Sequence, residues 1–146
     1  DIAAFKSYLT NSYALPLVQA SRLLGASSEA CNVLANMGYA GALVRYFAAV
    51  PKLQEMGRVP LIDGRLSAVA DLAAEALDAV RGSGGVLAGL SKTARTPLND
   101  AMTHLPLLKV VVKDPSAVID GRLSMTPLRQ SLRLTFVSQV PSWAFV

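Results

Sequence analysis

The sequence predicts a mostly helical α+β fold, with an N-terminal region of about four to five helices followed by a small C-terminal antiparallel β region. Three observations carry this prediction. Apolar residues recur at helical spacing through the first two-thirds of the chain. Proline, glycine and serine stand where those stretches should start and stop. After residue 106 the texture changes to a β-branched run and an alternating segment.

Taken in order, Ile2, Phe5 and Leu9 share one face of a short opening helix. Pro16 suits the first turn of a second helix, which Gly25 can end. Ser27 or Ser28 can cap a third, with Glu29 near the positive end of its dipole. Val33, Met37, Gly41, Val44 and Ala48 form a stripe on this helix, and Pro51 should stop it after Val50. Lys52 to Asp63 reads as a connection with a short extended piece at Val59–Ile62. The clearest helix runs from Leu66 to Arg81. Leu66, Val69, Ala73, Leu77 and Val80 lie along one face of it, and Asp71, Glu75 and Asp78 lie away from them.

Gly82-Ser83-Gly84-Gly85 then breaks the helix. Within a single domain, 1–146, it is the best candidate boundary between a helical half, 1–81, and a helix-plus-β half, 86–146. Thr96 and Pro97 start another short helix with Leu98, Met102 and Leu105 inward, closed by Pro106. Val110-Val111-Val112 predicts a strand, Asp114-Pro115-Ser116 a turn, and Ala117–Ile119 a returning strand. Leu132, Leu134 and Phe136 alternate with Arg133, Thr135 and Val137, as in a half-buried strand.

The composition is unusually apolar, at 52% hydrophobic and 16% charged, against roughly 25% charged in an average soluble domain. A chain this poor in charge should expose apolar surface, which marks contact with a partner or with lipid. The net charge is +4 and the pI 9.5, but the basic residues are scattered. Lys92 with Arg95, Lys109 with Lys113 and Arg129 with Arg133 are the closest groupings, with no aromatic interleaving. That pattern argues against nucleic acid as a partner.

Cys31 is the only cysteine, so no intrachain disulfide can form, and its small apolar neighbours point to a structural role. No uncharged segment reaches the roughly 18 apolar residues of a membrane-spanning helix. Ala30–Val44, bounded by Glu29 and Arg45, comes nearest. No signal or transit peptide is evident at Asp1. A membrane-associated location is favoured on composition.

Candidate chemistry is sparse. His104 is the only histidine and has no cysteine or clustered acid beside it in sequence, so a structural or surface role is expected. Asp71 and Glu75 are four residues apart and could meet, but they read as a solvated acidic face. The glycine-rich stretch follows a helix and lacks the spacing of a phosphate-binding loop. No catalytic residue, cofactor site or metal site is expected.

The expected interaction residues are Gly38, Gly41, Ala42, Arg65, Arg122, Trp143 and Phe145. Gly38 and Ala42 form a small-xxx-small pair that lets another helix approach closely, within the core, between subunits or beside lipid. Trp143 and Phe145 belong to an apolar C-terminal tail that should dock on this domain or on a neighbour. Arg65 and Arg122 belong to the hexapeptide Ile-Asp-Gly-Arg-Leu-Ser, which occurs at Ile62–Ser67 and again at Ile119–Ser124. An exact repeat of this kind has odds on the order of one in a thousand by chance. Both copies suggest an extended piece, an Asp-Gly turn, an outward arginine, an inward leucine and a serine cap.

These features favour a non-catalytic structural or assembly subunit of a larger, membrane-associated multiprotein complex. Its partners would be other protein subunits, in a homo- or hetero-oligomer, with lipid as a further contact. The alternatives are a small apolar-ligand or lipid-binding domain, and a viral or phage shell protein.

Overall fold

A computed structural model describes residues 1–61 and 63–140. The chain opens with α1 (Ile2–Leu9), a π-helical segment (Thr10–Ala14) and α2 (Leu15–Leu23). The backbone stays helical across both junctions. The Asp1 carboxylate caps α1 by accepting from the Ala3 amide at 3.0 Å. Pro16 follows the π-helical segment inside this continuous helical backbone, so its missing N–H leaves one helical hydrogen bond unmade. Gly25, at φ +98°, turns the chain out of α2.

A short 3-10 turn (Ser28–Ala30) leads into α3 (Cys31–Glu55). This helix runs through Pro51, where the sequence suggested a stop. Pro51 cannot donate to the Phe47 carbonyl, so one helical hydrogen bond is lost. Its ring lies beside Gly121, where an added Cβ would stand 3.5 Å from Pro51 Cγ. Helix α4 (Leu66–Val80) follows, burying Val69, Ala73, Ala76 and Val80 as its stripe requires. Gly82, at φ +79°, ends that run. Beyond it come α5 (Gly84–Gly89), α6 (Lys92–Arg95), a 3-10 turn (Thr96–Leu98) and α7 (Asn99–His104). The remaining elements are α8 (Pro106–Lys113), α9 (Ser116–Ile119) and α10 (Pro127–Gln139).

The expected C-terminal β region is absent: the described residues contain no strand, and each segment read as one is helical. Val110-Val111-Val112 lies in α8. There Pro106 occupies the first turn, and Leu107, Leu108 and Val111 are buried. Those three sit at i, i+1 and i+4, a helical face that packs on α4. Tertiary burial thus overrides the modest β preference of valine. Ala117–Ile119 falls in α9, which packs on α3 through the buried Ala117 and Val118. The alternating Leu132, Leu134 and Phe136 lie in α10. The Thr126 hydroxyl caps this helix, accepting from the Arg129 amide, and Pro127 is its first residue.

Helix α3 is the centre of the fold, packed on the π-helical segment, α2, α4 and α7. Leu34, Met37, Leu43 and Phe47 are almost fully buried along it. Each such side chain stabilises by about 1.5–3 kcal/mol relative to exposure. By length and composition α3 could also cross a membrane, since Ser28–Glu55 contains a window of mean hydropathy 1.2. That window is 56% buried inside the fold, and the core helix of a globular protein meets the same criterion.

Candidate functional site

The small residues of α3 are packed within the chain. A Cβ added to Gly38 would lie 2.8 Å from Ala14 Cα, and one added to Gly41 would lie 2.6 Å from Ala101 Cβ. Gly38 therefore admits the π-helical segment and Gly41 admits α7. Ala42, next to Gly41, is 5% exposed. Arg65 and Arg122 are both at the surface, each paired with the aspartate two residues before it. Trp143 and Phe145 lie outside the described residues. Cys31 is half-buried, with its thiol 3.9 Å from the Ser27 carbonyl.

The π-helical segment, α3 and α7 bring together a group of side chains that their sequence spacing does not reveal. Asp100, in the first turn of α7, sits at its centre. Tyr13 Oη donates to Asp100 Oδ2 at 3.2 Å, and Arg45 Nε lies 3.1 Å from the same oxygen. The Arg45 guanidinium stands 5.2 Å above the Tyr13 ring, a cation–π contact. One turn along α7, His104 Nδ1 lies 2.9 Å from the Asp100 carbonyl and 3.4 Å from its Oδ1.

The electrostatics follow this geometry. The imidazole of His104 and the guanidinium of Arg45 hold the Asp100 carboxyl below its ordinary value. The Asp100 carboxylate in turn raises His104, against the opposing effect of burial. Burial, then the Asp100 charge, pushes the Tyr13 phenol up.

This cluster borders a half-open cleft of about 580 Å³. Val44 and Ala48 of α3, Leu107 of α8, and Leu123 and Met125 before α10 form its apolar wall. Arg45, Asp100, His104, Ser124 and Gln130 supply the polar part. Ser124 is a possible nucleophile by residue type, but no hydrogen bond joins it to His104 among the described residues. No group of three or more metal-ligating side chains converges among the described residues.

A second feature lies at the surface. Of the thirteen residues of α10, only Val137 is buried, and ten are exposed. Leu128 is 72% exposed and Leu132, one turn on, is 51% exposed. Leu23 and Val59 are more exposed still. They stand at a helix end and in a connection, where single apolar residues at the surface are ordinary. Helix α10 is anchored on its inner side. Arg133 Nε donates to the Thr103 carbonyl at 3.1 Å. The buried Arg95 donates to the carbonyls of Leu87 and Ser138, at 3.1 and 3.4 Å. Arg95 thus sits against the negative ends of α5 and α10 together.

No family model matches this chain, and no curated protein or solved structure is detectably similar to it.

Proposed function

We propose that this chain is a non-catalytic structural subunit that assembles with further copies of itself through the outer face of α10. The observation that carries this reading is the exposure of Leu128 and Leu132 on a helix with one buried residue. A helix so lightly docked gains little from its own domain, and an apolar stripe on it is best covered by another protein surface. Charge supports a second copy as the occupant. On the exposed part of α10 the charge is that of Arg129, since Arg122 is paired with Asp114 and Asp120 and Arg133 is turned inward to the Thr103 carbonyl. The outer side of α4 presents Asp71, with Asp78 beside it paired to Arg81. Each copy thus carries both halves of a complementary head-to-tail contact. A membrane setting for the assembly rests on composition alone.

Size-exclusion chromatography with light scattering, with and without detergent, tests this reading. The expected result is a mass above the 15.4 kDa monomer that detergent does not change. Leu128→Glu combined with Leu132→Glu should give a monomer with an unaltered melting temperature. A wild-type monomer without detergent overturns the proposal, as does a variant that still assembles. An assembly that detergent dissolves assigns the face to lipid instead.

A further inference from the structure

The cleft beside Asp100 shares the α10 residue Gln130 with the rim of the proposed assembly face but not Leu128 or Leu132, and its chemistry is specific enough to name a ligand class. We propose that it binds a single-chain monocarboxylate amphiphile, with the carboxylate at Arg45 and the chain along Ala48, Leu107, Leu123 and Met125.

Four observations support this. The volume, about 580 Å³, falls within the roughly 300–1,000 Å³ of small-molecule sites. The wall is apolar, and Leu107 and Leu123 hold it rigidly because each is itself more than nine-tenths buried. The Arg45 guanidinium has donors to spare. Nε makes the 3.1 Å contact with Asp100, and the terminal nitrogens make no hydrogen bond among the described residues. Although 57% exposed, the Arg45 side chain is drawn toward the cleft by the ion pair on one side and the Tyr13 ring on the other.

The charge balance selects the head group. Arg45 and Asp100 cancel, and His104 adds at most one positive charge. With His104 protonated the cluster carries one positive charge, which suits a head bearing a single negative charge and disfavours a multiply charged one such as a diphosphate. Ser124 and Gln130, also on the lining, offer neutral hydrogen-bond donors to the second carboxylate oxygen. The chain length matters in a predictable way, because each fully buried methylene strengthens binding about fourfold.

Calorimetric titration with decanoate, below its micellar concentration, tests the site. The expected result is one-to-one binding, with decanol at least tenfold weaker and hexanoate weaker by tenfold or more. Arg45→Gln should weaken decanoate about tenfold and leave decanol unchanged. Arg45 is exposed, so that variant should fold. Ala48 is also exposed on α3, and Ala48→Trp should fill the cleft and abolish binding of both ligands. Absence of decanoate binding overturns the proposal, and so does equal binding of decanoate and decanol. Wild-type affinity in Ala48→Trp overturns it as well. The Leu128→Glu, Leu132→Glu chain should bind decanoate normally, so failure of the assembly reading leaves this one standing on its own result.

Discussion

The two copies of Ile-Asp-Gly-Arg-Leu-Ser share six residues and little of their backbone. The first leads from an irregular connection into the long helix α4, with Arg65 at its start. The second begins inside the short helix α9 and leads out of it into the approach to α10. Gly121 turns with φ +69°, whereas Gly64 has no positive φ. Leu123 is 4% exposed and Leu66 is 40% exposed. One local feature survives the change of setting. Arg65 Nε donates to Asp63 Oδ1 at 2.9 Å, and Arg122 Nη2 donates to Asp120 Oδ2 at 2.9 Å. The hexapeptide therefore encodes a side-chain clasp, and the flanking sequence decides the path of the chain and the burial of the leucine. The cavities the copies border differ in the same sense. Asp63 lines a space of about 20 Å³ against α1 and α4, the size of one water. Leu123 and Ser124 line the 580 Å³ cleft.

The leucines should give the largest difference. Leu123→Ala removes a buried side chain from the cleft wall and should destabilise by about 2–4 kcal/mol. Leu66→Ala, at a partly exposed first-turn position, should cost under about 1 kcal/mol. Urea denaturation of the two variants measures both. Equal losses would show that the copies are alike in energy and that the burial difference has no weight.

That contrast also shows where the sequence was legible. The helices α1, α2 and α4 followed from their apolar spacing and from Pro16, Gly25 and Gly82, because those signals are local. The β region failed because its signals were local too, while the deciding contacts were not. Val111 is buried because α8 meets α4, and nothing near residue 111 in sequence announces that contact. In α10, Thr126 and Pro127 were the informative residues. The alternation of Leu132, Leu134 and Phe136 matched no buried face, since all three are exposed. The Tyr13, Arg45, Asp100 and His104 cluster was illegible for the same reason: its members stand 32, 55 and 4 residues apart and meet only through packing. Glycines at close approaches gave the one partial signal, since Gly41 admits α7 and with it Asp100.

The glycines should give a smaller difference, of opposite sign. Gly121→Ala forces an alanine into the left-handed region and should destabilise by about 1–2 kcal/mol. Steric crowding adds little, because the new Cβ would meet Pro51 at an ordinary 3.5 Å. Gly64→Ala meets nothing within 4 Å. It restricts the unfolded chain and should be neutral or stabilising by up to about 1 kcal/mol. Thermal melts of the two variants, shifted in opposite directions, would sharpen the distinction between the copies. A destabilised Gly64→Ala would erase it.

The clasps themselves should differ least, and the difference lies in which carboxylate each arginine governs. Hydrogen bonds from the Arg65 side chain and backbone hold the Asp63 carboxyl at about 2, below its ordinary 3.8. Arg122 reaches past its own copy, lying 2.9 Å from Asp114 Oδ2. Asp114 is lowered first by the Ser116 hydroxyl and next by Arg122. A depressed folded-state value means that the stabilisation is present above the unfolded value and is lost as pH falls through the folded one. For Asp63 that window runs from about pH 4 down to about pH 2. Both carboxylates are near the surface, so salt should weaken the effect. Carboxyl-carbon NMR titration should find Asp63 near 2 in the wild type and returning toward 4 in Arg65→Gln, with Asp114 unmoved. In Arg122→Gln, Asp114 should rise and Asp63 should stay. If Asp63 also moved in Arg122→Gln, the first clasp would not be self-contained, and the copies would be coupled through α3.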